Sequence, residues 1–330
     1  MKVFNTRINV VVLLGLLLPL ATVLYLAPVS AIPPCPTHLT AKTTLTANCT
    51  GTVYLAKNGI TLNCAGHTVS GPGTYGVEVA ERLHVTVENC KITGFTYGLY
   101  VAGTNSSTFT DNTATTNTYG VQVTTNGTIG ASTRNTFSGN TANSNSNDGI
   151  SFDESYGNTL KSNTANSNTN AGFIFVYSDG NTLKSNTANT NKDGFFIYLS
   201  SGNTLTTNTA NSNTNDGFSL EVSYGNTLTG SIANSNTYGF YVDNSYGNTL
   251  TSNTAKLNTN SGFYMGDSSN NVLSSNVANS NTYDGFYFDS STSSNWVVSN
   301  TASGNTHYDA EQAAPSNFFV TNSFTTTFGI

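Results

Sequence analysis

The sequence predicts an all-β protein, a single-stranded right-handed parallel β-helix (a solenoid) of about 10–11 coils with a disulfide-stapled N-terminal cap. Three observations predict this fold. A glycine recurs every 22 or 23 residues, short segments alternate apolar and polar residues, and all four cysteines lie between residues 35 and 90. Period-two alternation is typical of strands, and so short a unit buries its apolar side only by stacking on the next unit.

The first 31 residues have the features of an export signal. Lys2 and Arg7 precede an almost uncharged apolar run, 8–27, and small residues before position 32 form a cleavage site. The alternative is a retained anchor, since the run is close to the about 20 residues that span a bilayer, although Pro19 interrupts it. Either way the rest of the chain faces an extracytoplasmic compartment, so we expect a secreted, cell-surface or periplasmic protein, with no membrane span if the signal is cleaved.

Composition excludes several classes of protein. Asn occurs 47 times and Thr 54 times, while charged residues make up 8% of the chain and the formal charge is −6. Eleven Lys and Arg residues, thinly spread, exclude a basic nucleic-acid binder. The apolar content is too high for a disordered acidic chain. We expect a monomer that does not bind nucleic acid.

The recurring glycine precedes an apolar strand and marks the coils. It stands at positions 76, 98, 120, 149, 172, 194, 217, 239, 262 and 285, and the one long interval coincides with an insertion around residues 126–134. This pattern predicts an N-terminal cap and first coil over 32–70, repeats over 71–314, and a last half-coil with a C-terminal cap over 315–330.

Aligning the repeats on this glycine gives columns of like residues. Apolar columns are expected to point inwards, with equivalent strands paired in parallel about 4.8 Å apart and a right-handed crossover. Asparagine columns are expected to hydrogen-bond along the stack, and asparagine also tolerates left-handed turns. The two asparagine columns are Asn158, Asn181, Asn203, Asn226, Asn248 and Asn271, and Asn163, Asn186, Asn208, Asn253, Asn276 and Asn300.

The even number of cysteines after an export signal predicts two disulfides, for which three pairings are open. The alternative is a Cys/His metal site, because His67 and His84 lie nearby, but the cysteine spacings match no compact zinc pattern.

The segments Gly59–Gly71 and His84–Ile92 resemble the first coils of secreted right-handed parallel β-helix proteins. These are the pectate-lyase-like proteins, including the NosD-type periplasmic proteins of nitrous oxide reductase maturation. The resemblance covers about residues 35–305 and implies the fold, whereas the activities in that superfamily differ widely. It also implies that Cys64 and Cys90 lie on adjacent coils and form a disulfide, which leaves Cys35–Cys49 to staple the cap.

Alternation places aromatic and acidic residues on one exposed sheet face. Flat rings beside hydrogen-bonding acids suit the binding of sugar rings, although exposed sheets also favour Tyr and Phe for cross-strand packing. The candidate binding residues are Phe196, Tyr198, Tyr241, Tyr264, Tyr287 and Asp289.

Glu221 and Asp243 on this face are the candidates for catalysis. Strand spacing puts them about 5 Å apart on adjacent coils, close to the separation of the carboxyl pair in a retaining glycosidase. However, Gly266 breaks the column, and the mature chain carries only Arg82 and Arg134 as arginines, whereas lyases and hydrolases on this fold need basic residues. We therefore expect a non-enzymatic protein, with cleavage by this pair as the alternative.

Metal ligands are few in the sequence. Asp193 and Asp216 precede repeat glycines on neighbouring coils, so calcium between them is an alternative to an ordinary turn role. Copper, which the NosD-type resemblance suggests, needs clustered His, Met or Cys, whereas the repeats contain only Met265 and the terminal His307. We expect no cofactor and no metal site.

A column of outward threonines is similar to the ladder of ice-binding solenoids, but it lacks a second threonine two residues later in the sequence.

Three hypotheses about function remain. The first is a secreted or surface β-helix that binds polysaccharide or cell-envelope glycan, or serves as an envelope scaffold or adhesin. The second is a polysaccharide-degrading lyase or hydrolase. The third is a periplasmic accessory protein similar to the NosD type.

Overall fold

The computed structural model describes residues 31–128 and 130–330, and this part of the chain contains 33 strands and no helix. It therefore contains no helix that is long and apolar enough to cross a membrane. The export signal predicted for residues 1–31 lies, apart from its last residue, outside the described residues. The strands belong to one compact unit, Pro33–Ile330.

The strands form three parallel sheets, and each strand pairs with its equivalent on the next coil. Sheet 1 has 13 strands: Thr43–Thr44, Thr61–Asn63, Thr86–Glu88, Thr108–Thr110, Thr136–Ser138, Thr159–Lys161, Thr182–Lys184, Thr204–Thr206, Thr227–Thr229, Thr249–Thr251, Val272–Ser274, Trp296–Val298 and Phe318–Val320. Sheet 2 has 15 strands: Cys49–Thr50, Val53–Tyr54, Thr68–Ala80, Lys91–Ala102, Thr113–Ala114, Tyr119–Thr124, Ile150–Asp153, Ala171–Val176, Asp193–Tyr198, Asp216–Glu221, Tyr238–Asp243, Phe263–Gly266, Phe286–Phe288, Ala310–Gln312 and Thr327–Phe328. Sheet 3 has five: Ile232–Asn234, Thr254–Lys256, Val277–Asn279, Thr301–Ser303 and Ser323–Phe324.

The predicted right-handed parallel β-helix is confirmed, with about 12 turns rather than about 10–11. The additional turns come from the two ends, where no repeat glycine marks the coil. At the N-terminal end, Thr43–Thr44 already pairs with Thr61–Asn63. At the C-terminal end, the segment expected to form a half-coil supplies one strand to each sheet.

The inward columns form continuous stacks in the core. Leu160, Leu183 and Leu205 are in register and fully buried. The phenylalanines that follow the repeat glycines stack with nearly parallel rings, and their centroids lie 4.7–5.0 Å apart, the spacing of hydrogen-bonded strands. This stack consists of Phe173, Phe195, Phe218, Phe240, Phe263 and Phe286.

Both predicted asparagine columns are buried hydrogen-bonded ladders. In each, the side chain bridges coils in both directions: Asn163 Nδ2 donates to Phe137 O at 2.9 Å and to Asn186 Oδ1 at 3.0 Å. Its Oδ1 accepts from the backbone N–H of Asn140 at 2.9 Å. A third ladder, which the sequence analysis missed, consists of Asn117, Asn145, Asn168, Asn191, Asn213, Asn236, Asn258, Asn281 and Asn305. These ladders satisfy backbone groups at the corners, where sheet pairing ends.

The expectation that these asparagines occupy left-handed turns is wrong. The left-handed residue at the corner stands just before the ladder asparagine. In the first column it is a glycine in most coils, such as Gly157 with φ of 63°. In the second column it is a Ser or Thr, such as Ser162, Ser185 and Thr207, with φ of 52–56°. The ladder asparagine turns its side chain inwards at the next position, where its amide reaches both neighbouring coils.

The repeat glycine is required by close packing between coils. A Cβ added to Gly217 would lie 2.6 Å from Gly239 O and 2.7 Å from the Cβ of Ala233. The backbone of the strand therefore rests directly on the alanine column and the third asparagine ladder. This contact explains why glycine and alanine recur together in the repeats from Gly98 to Gly285.

The structure contains the two disulfides that the resemblance implies, Cys35–Cys49 and Cys64–Cys90, each with a Cα–Cα distance of 4.7 Å. All four cysteine side chains are buried in the first coils. Two buried disulfides fit an oxidising, extracytoplasmic compartment.

Candidate functional site

The outer face of sheet 2 carries the residues that the sequence singled out. Register places four of the five candidate aromatic residues in one file, because Ser219 pairs with Phe196 on one side and with Tyr241 on the other, and Tyr264 and Tyr287 follow. A second file, two positions later in each strand, contains Tyr198, Glu221, Asp243 and Gly266. The predicted columns are therefore present as files on neighbouring coils. We call this surface the outer face.

Three tyrosines form a stacked row on the outer face. The ring centroids of Tyr241 and Tyr264 lie 4.9 Å apart, and those of Tyr264 and Tyr287 lie 5.5 Å apart, with rings within 17° of parallel. Tyr238, which precedes a repeat glycine, meets Tyr264 at a steep angle, with centroids 5.3 Å apart. All four rings are half-buried, so each remains partly accessible to solvent.

A groove opens beside this row. It has a volume of about 220 Å³ and is lined by Tyr238, Asn260, Ser261, Tyr264, Tyr283 and Tyr287. Asn260 Nδ2 donates to the phenol oxygen of Tyr238 at 2.8 Å, which fixes one wall of the groove. The groove therefore combines aromatic walls with hydroxyl and amide groups that can exchange hydrogen bonds with a ligand.

Two acids of the outer face, Asp243 and Asp289, have different local roles. Asp243 lies over Gly266: a Cβ at position 266 would come within 2.6 Å of Asp243 Oδ1. The glycine that breaks the column thus makes room for the preceding carboxylate. Asp289 caps a turn instead, because its Oδ1 accepts from the Ser291 N–H at 2.9 Å and the Ser291 hydroxyl at 2.7 Å. Burial acts to raise the pKa of Asp289, but hydrogen bonds from Ser291 and Thr292 outweigh it and lower that pKa.

Asp216 forms an acidic group with Glu221 that the sequence analysis did not identify. Asp216 is buried, and burial, followed by the negative charges of Asp193 and Glu221, raises its pKa to about 8. Burial also raises the pKa of Glu221, while the Ser219 hydroxyl donates to Glu221 Oε1 at 3.3 Å and partly offsets this effect. With a pKa of about 8, Asp216 is therefore mainly a protonated carboxylic acid at neutral pH.

The other acids that precede repeat glycines bind the backbone of the next coil. Asp148 Oδ1 accepts from the Ala171 N–H at 3.0 Å, and Asp193 Oδ1 accepts from the Asp216 N–H at 3.2 Å and from Asn215 Nδ2 at 2.8 Å. These contacts give Asp193 a structural role in the place where calcium was considered. The sequence placed these acids in turns, whereas Asp193 and Asp216 each begin a strand.

A second tyrosine cluster lies on the same face nearer the N-terminus. Tyr75, Tyr97 and Tyr119 are in register, and Tyr100 packs on Tyr75 with centroids 4.4 Å apart. The adjoining groove has a volume of about 370 Å³ and is also lined by acids, among them Asp153. This cluster could have been predicted from the sequence, because three successive repeat glycines are each preceded by tyrosine.

The C-terminal end of the outer face brings together Asp284, His307 and Glu311. Among the described residues, this is the one group of three or more His, Cys, Asp or Glu side chains with the spacing of a metal site. His307 Nδ1 lies 3.0 Å from Asp284 Oδ1 and 3.2 Å from Glu311 Oε2. The sequence analysis considered His307 alone and did not predict its two partners.

Two family models match the chain. The model described as "Periplasmic copper-binding protein (NosD)" matches residues 43–221, more than half of the chain. This chain belongs to the NosD family. The model described as "Right handed beta helix region" matches residues 173–325. No curated protein matches this NosD family member in sequence.

Solved structures with the same fold include two that are named as epimerases. The periplasmic alginate epimerase AlgG is 16% identical, with 83% of this chain and 77% of its own covered and a TM-score of 0.56. The A-module of the Azotobacter vinelandii mannuronan C-5 epimerase AlgE4 is 14% identical, with 88% and 87% covered and a TM-score of 0.56. The Dettilon tailspike protein is 12% identical, with 87% and 62% covered and a TM-score of 0.54. At these identities the similarity shows the fold alone.

Proposed function

We propose that this NosD family member is an extracytoplasmic protein that binds a polysaccharide along the outer face of sheet 2 without cleaving it. The observation that carries the proposal is the tyrosine-lined groove beside the row Tyr241, Tyr264 and Tyr287. Aromatic rings have an electron-rich face and a polar tip, so they contact the C–H groups of a sugar while their phenols exchange hydrogen bonds with its hydroxyls. The similar proteins that are named as alginate or mannuronan epimerases support a carbohydrate ligand.

The shape of the groove favours a chain over a small molecule. Its volume of about 220 Å³ is below the about 300–1,000 Å³ of sites that enclose a small molecule. Files of equivalent side chains also repeat along the solenoid axis, as units repeat along a polysaccharide. We infer that one or two sugar units occupy the groove while the rest of the chain follows the outer face.

Charge favours a neutral or amino-sugar polysaccharide over a polyuronate. The outer face of sheet 2 carries acids at several coils, including Asp153, Glu221, Asp243 and Asp289. One basic side chain lies beside them, because Lys192 Nζ is 3.7 Å from Asp193 Oδ2. A surface on which acids outnumber basic residues repels a polyanion and attracts a cation. Binding of a polyanion would need basic residues on this face.

Gel electrophoresis through immobilised polysaccharide tests the proposal. We expect a neutral glucan or chitosan to retard the protein, and polygalacturonate to leave its mobility unchanged. Tyr264→Ala combined with Tyr287→Ala removes two walls of the groove and should abolish retardation. The matched control is Tyr224→Ala combined with Tyr246→Ala, because these tyrosines also stack on neighbouring coils, with centroids 5.7 Å apart, but lie outside the outer face.

Two results would contradict binding at this groove. One is retardation that the Tyr264 and Tyr287 variant retains in full. The other is mobility that no polysaccharide in the panel changes, which would leave the envelope scaffold as the remaining role.

Polysaccharide cleavage is the second candidate, and the protonated Asp216 favours it. A general acid must hold a proton near neutral pH, and the raised pKa of Asp216 provides this, while Glu221 in the same strand supplies a second carboxyl group. New reducing ends, or absorbance from unsaturated products, would establish cleavage. Loss of this signal in Asp216→Asn and Glu221→Gln, but not in Asp153→Asn, would assign it to this group.

A further inference from the structure

Asp284, His307 and Glu311 lie on two neighbouring coils at the C-terminal end of the outer face. Asp284 precedes the repeat glycine of one coil, and Glu311 stands on the next coil in register with Tyr287. One ligand atom from each of the three side chains lies within 4.8 Å of the other two. The family model that matches residues 43–221 does not cover these positions, so the family assignment says nothing about them.

The spacing of the three donor atoms fits a common metal ion. Zinc forms bonds of about 2.0–2.2 Å to histidine nitrogen and carboxylate oxygen, so neighbouring ligands at angles of roughly 90–110° lie about 3.0–3.5 Å apart. The distances from His307 Nδ1 to Asp284 Oδ1 and to Glu311 Oε2 are 3.0 and 3.2 Å. Small movements of these side chains would therefore place all three atoms around one ion.

Two buried carboxylate oxygens in this group have no hydrogen-bond partner among the described residues. They are Asp284 Oδ2 and Glu311 Oε2, and Asp284 is fully buried. The Nδ1 atom of histidine carries at most one proton, so a hydrogen bond from His307 serves one of the two carboxylates and leaves the other unpaired. A dication would neutralise both carboxylates and bind the nitrogen lone pair of neutral His307.

Neighbouring groups fix the orientation of the proposed ligands. The His307 ring stacks on Tyr283 with centroids 4.5 Å apart, and it packs edge-on against Tyr308. Asp284 Oδ1 accepts a hydrogen bond from the Tyr308 N–H at 2.9 Å. Such outer contacts orient metal ligands and raise affinity. His307 is 40% exposed, so the remaining coordination positions face solvent.

We propose that Asp284, His307 and Glu311 bind a divalent transition-metal ion of the zinc class. One imidazole and two carboxylates suit such an ion, whereas calcium and magnesium prefer sites made of oxygen ligands alone. Because Tyr283 and Tyr287 border both this site and the tyrosine-lined groove, the bound ion lies at the end of that groove. The site does not depend on the proposed function, since its ligands lie outside the groove lining.

Equilibrium dialysis of the untagged protein against zinc chloride, after chelator treatment, tests this proposal. We expect one zinc ion per chain and a higher melting temperature with zinc, but no such increase with calcium or magnesium. His307→Ala and Glu311→Gln should each weaken zinc binding by at least roughly tenfold. The matched controls are His67→Ala, which removes an imidazole elsewhere, and Asp243→Asn, which removes another carboxylate of the outer face; both should bind zinc like the unchanged protein.

The proposal is overturned if the folded protein takes up less than one zinc ion per chain, or if Glu311→Gln binds zinc as tightly as the unchanged protein. Circular dichroism of each variant separates loss of the site from loss of the fold. Copper(II) should compete for the same site, because it binds nitrogen and oxygen ligands more tightly than zinc does. Copper binding that survives both ligand substitutions would place the ion elsewhere and would also contradict the proposal.

Discussion

The interior of the solenoid and its outer face follow the same repeat but differ in how strictly they keep it. Inside sheet 2, six successive coils carry phenylalanine after the repeat glycine, and the rings stack within 9° of parallel. The next residue of each strand points outwards, and in the same six coils it is Ile174, Phe196, Ser219, Tyr241, Tyr264 and Tyr287.

This difference separates what the fold requires from what it permits. An inward side chain packs against its copies above and below, so a change on one coil disturbs two neighbours. The outward tyrosines Tyr241, Tyr264 and Tyr287 are only half-buried, although Ser219 in the same file is fully buried, so the fold tolerates several residue types at the outward position. Ligand binding must therefore be inferred from the residues that vary along the outer face. The fold is inferred from the residues that repeat in the interior.

The largest effect is expected from a charge placed inside the stack. Leu205→Asp puts an unpaired carboxylate among fully buried leucines and should cost more than about 4 kcal/mol, enough to prevent folding. Thr206→Asp, one residue later and half-exposed beside Lys184, should change stability by about 0.5 kcal/mol or less. Urea denaturation of both variants measures the contrast, and equal losses would show that the inward and outward assignment is wrong.

A smaller effect is expected from one member of an asparagine ladder. Asn203→Leu keeps the size of the side chain but removes the bonds from Nδ2 to Ser178 O at 3.0 Å and from the Asn181 N–H to Oδ1 at 2.8 Å. Each buried group left unpaired costs about 1–3 kcal/mol, so we expect a loss of about 2–4 kcal/mol. Thr204→Ala, at the exposed next position, is the control. A ladder variant as stable as this control would mean that water replaces the missing bonds.

The third effect depends on pH, is absent near pH 4, and concerns the acidic group of the outer face. The pKa of Asp216 is 3.8 in a model peptide and about 8 in the fold. Between these values the folded state binds more protons than the unfolded state, so this group makes stability fall as pH rises from about 4 to 8. Asp216→Asn should therefore match the unchanged protein near pH 4 and be more stable than the unchanged protein at pH 8.

Melting temperatures measured across this pH range test the Asp216 prediction. Asp153→Asn, which replaces a more exposed acid of the same face, should show a smaller change. If Asp216→Asn lost stability at pH 8, the carboxylate would be ionised and favourably bound there, and the general-acid role in the second candidate function would fail with it.

The sequence predicted the interior well because the interior is periodic. A fixed interval between glycines determines which leucines, phenylalanines and asparagines lie over one another, and parallel pairing determines the register. The tyrosine row followed from the same register. The third asparagine ladder was missed because its members lie among other asparagines and serines, where composition alone does not show which side chain turns inwards.

Parts of the outer face could not be predicted because they depend on the depth and direction of individual side chains. Asp216 precedes a glycine, as a turn residue would, yet it begins a strand and is buried. His307 follows Tyr283 by 24 residues, longer than the usual interval, and the repeat motif is lost there. Because the repeat motif is lost there, the sequence does not show which residues pair between these coils. The contact between His307 and Asp284 was therefore found only in the structure.

Oxidative footprinting of tyrosines in the presence of a retarding polysaccharide tests most directly whether the outer face binds the ligand. The method compares one residue type on two surfaces of the same molecule. We predict that the ligand lowers the modification of Tyr264 and Tyr287, which line the groove, and leaves Tyr177 and Tyr224, exposed elsewhere on the coils, unchanged. Equal protection of both pairs, or protection of Tyr177 and Tyr224 alone, would contradict the account.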